Sequence, residues 1–389
     1  MQIIFWLAIA VVFYAYVGYG VIITTLVKLF RRKKPVYTWN ENNAPTVSLI
    51  IPCFNEGSGL IDKVHNTLAL QYPKEKLEIV FICDGTSDGS EKIPLEFASV
   101  KTMHNNERKG KLAAMKRAVL ATTGEILVFC DANTVLNPEA LQLLTLPYQN
   151  EKTGAVTGEK YILADNEGEA SSAGEGLYWK YESFLKRMDS DWYSLVGGAG
   201  ELMSYRRSLF LFLPDDTILD DFMLTMRIAE NGYQVKYIPE ARASEYASAN
   251  VKEEMKRKIR IAAGGWQSIA RLPKAINPFH NATLTFQYVS HRVLRWTIAP
   301  FCLVIIFILN HFLVFTSQSI LYKIVLAAQY AFYLFAFAGN LLQGKKVSVP
   351  GFFVPYYFYV MNYCAILGFY RFVKKSQAST WERAKRANE

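Results

Sequence analysis

Four stretches of the chain, residues 2–27, 296–322, 324–344 and 347–370, carry no Asp, Glu, Lys or Arg and are dominated by aliphatic and aromatic side chains. A helix needs about 20 apolar residues to cross the hydrocarbon core, so each stretch is long enough to span. The block between them, 31–293, has a different rhythm. Val47–Ile51 (VSLII), Leu77–Ile82 (LEIVFI) and Glu125–Cys130 (EILVFC) are short β-branched or aromatic runs that predict strands. Residues 58–70 and 107–121 predict the intervening helices, and Asn137-Pro138 predicts the N-cap and first turn of the next. Strands alternating with helices predict an α/β domain with a mainly parallel sheet and helices on both faces. In such sheets ligands bind beyond the carboxyl ends of the strands. Those ends here deliver Glu56, Asp84 and Asp131, all acidic.

The pattern divides the 389 residues into a transmembrane helix (1–30), a basic linker (31–46), the α/β domain (47–272), an interfacial segment (273–295), transmembrane or re-entrant helices (296–372) and a basic tail (373–389). A mean hydropathy of +0.08 is then the average of two unlike populations rather than the mark of an ordinary soluble chain. The first apolar stretch has no basic residue before it and no A-x-A site after it, so it reads as an anchor rather than a cleaved leader. Arg31, Arg32, Lys33 and Lys34 follow it and predict that the α/β domain faces the cytoplasm of a multi-pass inner (plasma) membrane protein. The net charge of +9 sits mostly in clusters beside apolar stretches, so it calls for no nucleic-acid partner. Five widely spaced cysteines with no CxxC pair agree with a reducing compartment. One feature conflicts. The tail after residue 370 holds six basic residues against two acidic ones, and four full crossings would put it outside the cytoplasm. The last stretch, with Pro350 and Pro355, is therefore either a span or a re-entrant or interfacial helix.

Acids gathered at one sheet edge repel unless a cation or a donor-rich ligand lies among them. Asp131-Ala-Asn133 puts two oxygen-bearing side chains at i and i+2, on one side of a continuing strand. That suits Mg²⁺ or Mn²⁺, hard ions that also take phosphate oxygens. Neither a GxxxxGK[ST] loop nor a GxGxxG turn after the first strand is present, so a nucleotide would be held by other means.

VSLIIPCFNE (47–56), FICDGTSDG (81–89), RKGKLAA (108–114), FCDANT (129–134), GGAGELMSYRR (197–207) and LDDFMLTMR (219–227) occur in that order. In that order and spacing they resemble the motifs of family 2 glycosyltransferases. The resemblance covers residues 47 to about 270. It implies a GT-A fold, Rossmann-like, acting on a nucleotide-diphosphate sugar with a divalent metal. By position, it implies that Glu56 and Asp84 contact the nucleoside, that Lys111 lies near the diphosphate, and that Asp131 and Asn133 bind the metal. Asn133 stands where a second Asp is common and offers a neutral oxygen instead. Asp220-Asp221 matches the family's acidic pair, whose second member is the implied general base; as a bare sequence feature the pair also reads as a helix N-cap.

In polymer-forming relatives a Q-x-x-R-W motif lies over the diphosphate and the acceptor. Here Arg257 stands for the Gln, Arg260 matches, and Ile261 stands for the Trp, with Trp266 the candidate acceptor-side ring one turn further on. A basic face lying on anionic lipid is the structural alternative for that stretch. Gly176–Met188 reads equally as an acceptor-lining helix or as core. The expected function is inverting transfer, from a nucleotide sugar such as a UDP-sugar, to a membrane lipid or cell-surface glycan. A processive synthase that extrudes its polymer is the alternative within the class, and a non-catalytic membrane scaffold the alternative outside it. Oligomeric state is not legible in the sequence.

Overall fold

The computed structural model describes residues 1–30, 37–163, 171–246, 251–342 and 350–378; the basic cluster at the start of the linker (31–36) and the tail beyond Ala378 lie outside them. One eight-stranded sheet runs in the order β3-β2-β1-β4-β7-β6-β8-β5. The strands are β1 (Val47–Cys53), β2 (Leu77–Asp84), β3 (Lys101–Asn105), β4 (Ile126–Cys130), β5 (Val135–Leu136), β6 (Thr153–Leu163), β7 (Leu202–Arg206) and β8 (Gln234–Tyr246). β3, β2, β1 and β4 are mutually parallel, β7 is antiparallel to both β4 and β6, and β6 and β8 are parallel. The sheet is thus mixed and mostly parallel.

The helices are α1 (Gln2–Leu29), α2 (Leu60–Leu68), α3 (Lys111–Leu120), α4 (Ala140–Thr145), α5 (Ser171–Trp192), α6 (Asp220–Glu230), α7 (Val251–Arg271), α8 (Pro278–Tyr288), α9 (Ile298–Thr316), α10 (Ile320–Leu342) and α11 (Pro350–Val373). Leu49, Ile51, Phe81 and Val128 face one core with α2 and α4, whereas Ile50, Ile82, Leu127 and Phe129 face the other with α3 and α6. Strands buried on both faces must be apolar at every position, which is why they read as continuous runs. Each such side chain contributes on the order of 1.5–3 kcal/mol of burial.

The expected helix start at Asn137 is displaced. α4 begins at Ala140, and the Asn137 side chain instead accepts from the Arg242 N–H of β8 at 2.7 Å.

Among the described residues four helices, α1, α9, α10 and α11, are long and apolar enough to cross a membrane. α9 and α10 form an antiparallel hairpin in which Asn310 donates to Gln329 (3.0 Å) and Phe307 packs on Tyr333. α1 lies beside them, with Phe5 against Tyr322 at the end remote from the sheet. α9 starts beside the domain, where Trp296 meets Phe222 with ring centroids 5.1 Å apart. α11 is different. Its Phe352 packs on Phe335 of α10, and its Phe369 packs on Phe301 at the start of α9. Both contacts lie in the domain-side halves of those helices. A Cβ at Gly368 would come within 2.4 Å of the Ala262 Cβ of α7, so glycine is what lets the two helices touch. α11 therefore packs both on the other apolar helices and on α7 of the domain.

Candidate active site

The cleft lies at the carboxyl ends of β1, β2 and β4, as the topology requires. After β1 the backbone turns at Asn55, whose φ is +50°, and its side chain accepts from the Ser87 N–H (2.9 Å). This ties the loop after β1 to the loop after β2 and sets Glu56 in the cleft wall. Asp84 is buried at the end of β2. One of its oxygens accepts from the Lys109 and Gly110 N–H groups (2.8 and 2.6 Å), and the other accepts from Arg117 (2.9 Å). Its carboxylate thus fixes the loop that launches α3 and presents Lys111. Arg108, in that loop, lies 3.8 Å over the Phe54 ring on the cleft wall.

Lys111 reaches across to Asp131 at 2.5 Å. Burial opposes the charge of its ammonium, but Asp131, Asp220 and Asp221 together hold its pKa above the ordinary lysine value. One cation among three acids leaves the centre of the cleft net negative. Asn133 donates to Glu245 at 3.1 Å, which orients its amide and leaves its oxygen on the opposite side of the group. Glu245 is buried against Lys160, which also bonds Glu201 at 2.8 Å. Lys160 and its neighbour Arg257 hold the Glu201 carboxyl well below the usual carboxylate range despite its burial.

Asp220 and Asp221 open α6, in its first turn rather than ahead of it. Asp221 accepts from the Phe222 N–H (2.7 Å). Burial, reinforced by the charge of Asp220, pushes the Asp221 carboxyl up to about 7 against the opposing pull of that N–H and of Lys111. Gly200 lies directly against it, since a Cβ there would stand 2.8 Å from Asp221 Oδ2. The loop leading into α6 is held by α7: Arg260 donates to Ile218 O (2.9 Å), and Gln267 bonds both Ile218 N and Asp216 O. Arg260 keeps a buried Nε–H with no partner among the described residues. Arg257 pairs with Glu254 (3.1 Å) and lies 4.0 Å from Glu201.

Of the residues singled out in the sequence, Glu56, Asp84, Lys111, Asp131, Asn133, Asp220, Asp221, Arg257 and Arg260 all line this one cleft. Trp266 does not. Its ring packs on Phe369 and Phe372 of α11, and it lines neither the cleft nor the cavity behind it.

That second cavity, about 710 Å³, lies between the domain and α1 and α11. Trp179, Trp296, Tyr16 and Tyr357 are among its walls, and it shares Gly200, Glu201, Asp221 and Arg257 with the cleft. Asp221 is therefore reachable from two sides. Glu201 and Trp296 were not picked out in the sequence; Glu201 directly follows the Gly197–Gly200 run, which was the available signal.

Residues 48–212 match the model of the family described as Glycosyl transferase family 2. These residues form a family 2 glycosyltransferase domain. Among curated proteins, the probable glycosyltransferase YdaM of Bacillus subtilis (strain 168) is 26% identical over 254 residues, 60% of this chain and 59% of that protein. A poly-beta-1,6-N-acetyl-D-glucosamine synthase of Staphylococcus epidermidis is 26% identical over 235 residues, 58% of this chain and 56% of its own length. The match thus spans less than two-thirds of these curated relatives. The mannosyltransferase PcManGT from Pyrobaculum calidifontis, solved with GDP-Man and Mn²⁺, superposes with a TM-score of 0.70 at 21% identity, over 96% of this chain and 99% of that one. The glycosyltransferase domain has the GT-A fold, joined to one N-terminal and three C-terminal apolar helices.

Proposed function

We propose that the protein transfers a sugar, with inversion, from a nucleotide-diphosphate donor in the cleft to a membrane lipid or cell-surface glycan entering through the second cavity. The observation that carries this reading is the position of Asp221 at the junction of the two spaces, with a carboxyl poised near neutrality. A sugar hydroxyl is a poor nucleophile and must lose its proton as it attacks. Asp221 is the group to take that proton, and Gly200 leaves the room for the hydroxyl to approach it. Attack from the cavity side on a donor held in the cleft is an in-line displacement, and one displacement inverts the anomeric carbon. Glu56 and the loop fixed by Asp84 would hold the nucleoside, while Lys111, Arg257 and Arg260 would face the diphosphate.

Asp131 and Asn133 would hold a divalent cation. Among the described residues no three His, Cys, Asp or Glu side chains gather as a metal cage. That fits Mg²⁺ or Mn²⁺, which commonly bind through one or two protein carboxylates plus substrate phosphates. When bound, the ion would neutralise charge on the departing diphosphate. The mannosyltransferase with which this chain shares its fold was solved with Mn²⁺ and a nucleotide sugar, which supports the choice.

The donor is read as a UDP-sugar and the setting as the inner membrane, with the domain in the cytoplasm where such donors are made. Arg257 and Ile261, in place of the Gln and Trp of Q-x-x-R-W, favour a single or short addition over a long polymer. The test is nucleotide release by purified protein in native lipids with Mg²⁺ or Mn²⁺, across UDP- and GDP-sugars, with products sized from a radiolabelled donor. Turnover of GDP-sugars alone would overturn the donor, high-molecular-weight product the short addition, and no release with any donor the reading as a whole.

A further inference from the structure

Helix α2 buries Leu60, Lys63, Val64 and Thr67, and its Leu60 and Val64 join the core with Leu49 and Ile51 of β1. Lys63 is the misfit in that stripe. It is 3% exposed, and lysine is seldom buried without an acid to pair with. Among the described residues no carboxylate lies within 4.0 Å of its ammonium. Its charge bears on the thiols of Cys53 and Cys130, but burial raises both above the ordinary thiol range, so neither supplies a counter-charge. What Lys63 reaches is Thr134, donating to its main-chain O at 2.7 Å and to its Oγ1 at 3.3 Å.

Thr134 closes the turn that begins at Asp131. Its N–H and its hydroxyl both donate to the Asp131 carbonyl, at 3.3 and 2.8 Å. The hydroxyl is therefore a bridge, accepting from Lys63 on one side and donating to Asp131 O on the other. One turn further along α2, Asn66 bonds the carbonyl and the N–H of Leu136, both at 2.9 Å. α2 thus grips the main chain from Thr134 to Leu136. Neither Lys63 nor Thr134 lines the cleft; the side chains that do are Asp131, which meets Lys111, and Asn133, which meets Glu245.

A neutral donor could satisfy the same carbonyl without the cost of burying a charge. An ammonium adds three donors on one atom and charge-assisted bonds, roughly twice as strong as neutral ones. That strength is directed at a four-residue turn carrying both side chains assigned above to the divalent cation. We propose that Lys63 is a positioning residue of the cation site, holding the Asp131–Thr134 turn in the shape that aims Asp131 and Asn133 at one ion. It lies behind the cleft wall and acts through Thr134. The inference rests on the proposed role of Asp131 and Asn133 as cation ligands, and it is tested by metal binding rather than by turnover.

The experiment is Mn²⁺ titration of the full chain in detergent, alone and with UDP or GDP, read from the electron paramagnetic resonance signal of free Mn²⁺. Nucleotide binding without metal is measured alongside, and thermal melts establish which variants are folded. Asp131→Asn should remove the nucleotide-dependent Mn²⁺ binding of the wild type. Lys63→Met keeps most of the bulk and removes the donors. It should raise the Mn²⁺ half-saturation by roughly tenfold to a hundredfold and leave metal-free nucleotide binding unchanged. Thr134→Val keeps the carbonyl, removes the hydroxyl bridge to Asp131, and should shift the titration in the same direction by a smaller factor; it carries the test if Lys63→Met does not fold. An unchanged Mn²⁺ titration in the folded variant would overturn the proposal. A tighter one would overturn it too, because the buried charge and not the grip would then set the affinity. Equal losses of Mn²⁺ binding and of metal-free nucleotide binding would mark a general loosening of the cleft, with the same consequence. Wild-type Mn²⁺ binding that survives Asp131→Asn would instead count against the proposed cation site and remove this inference with it.

Discussion

Asp220→Asn is expected to move the pH–rate profile to lower pH while leaving a base in place. In the wild type, burial and the Asp220 charge raise Asp221 to about 7, against the Phe222 N–H and Lys111. If the ionised form is the base, the active fraction is roughly 9% at pH 6 and roughly 91% at pH 8, a tenfold rise in kcat/KM. Removing the like charge at Asp220 leaves burial as the main cause of elevation, so the acid limb shifts down and the ratio between pH 8 and pH 6 falls towards one. Lys111→Met removes a nearby positive charge and should shift the same limb the other way. Asp221→Asn should lose the limb altogether and lower the rate by roughly 10²–10⁴, the usual contribution of a positioned base. The assay is initial-rate nucleotide release at constant ionic strength from pH 5.5 to 9, reported as kcat/KM for the donor so that the free enzyme is read. Asp220→Asn with an unmoved limb would refute the electrostatic reasoning. An acid limb near 7 that survives in Asp221→Asn would refute the assignment of the base.

Four further outcomes follow from particular contacts. Gly200→Ala places a Cβ 2.8 Å from Asp221 Oδ2 and should displace that carboxylate, lowering kcat by roughly a hundredfold with little change in melting temperature. Lys160→Met removes the cation between Glu201 and Glu245, leaving two buried carboxylates, and should destabilise the domain by roughly 3–5 kcal/mol in thermal or denaturant unfolding. Asn133→Asp supplies a charged oxygen in place of a neutral one, so Mn²⁺ titration of nucleotide release should half-saturate at a lower concentration; an unchanged titration counts against Asn133 as a ligand. Asp221 is harder to ionise folded than unfolded, so its contribution to stability is full below about 4 and is lost as pH rises to about 7. Asp221→Asn should therefore melt above the wild type at pH 8, with a gap that closes as pH falls towards 4.

Much of the domain is legible in the chain because its central strands are buried on both faces. Continuous runs such as Leu49–Ile51 and Val80–Ile82 have no other comfortable environment, and each ends at a residue the topology must place beside the others. Asp84 and Asp131 are therefore at one edge as soon as the strands are parallel. The two ends of the domain were less legible. Trp266 was the expected ring beside the acceptor, because it follows, about one turn further on, the Ile261 that stands for the motif's Trp. Helical rotation turns it onto Phe369 and Phe372 instead.

The sequence by itself determined that this protein has an α/β domain with an acidic sheet edge and four helices apolar enough for a membrane, since burial on two faces and hydropathy are properties of composition and spacing. Only the tertiary structure decided what lies around that edge. The second cavity draws Tyr16, Trp179, Trp296 and Tyr357 from four segments far apart in the chain, and no local pattern relates them. It also decided what the last helix packs on: Gly368 of α11 rests on Ala262 and Ala263 of α7, a contact that no pattern within either segment announces.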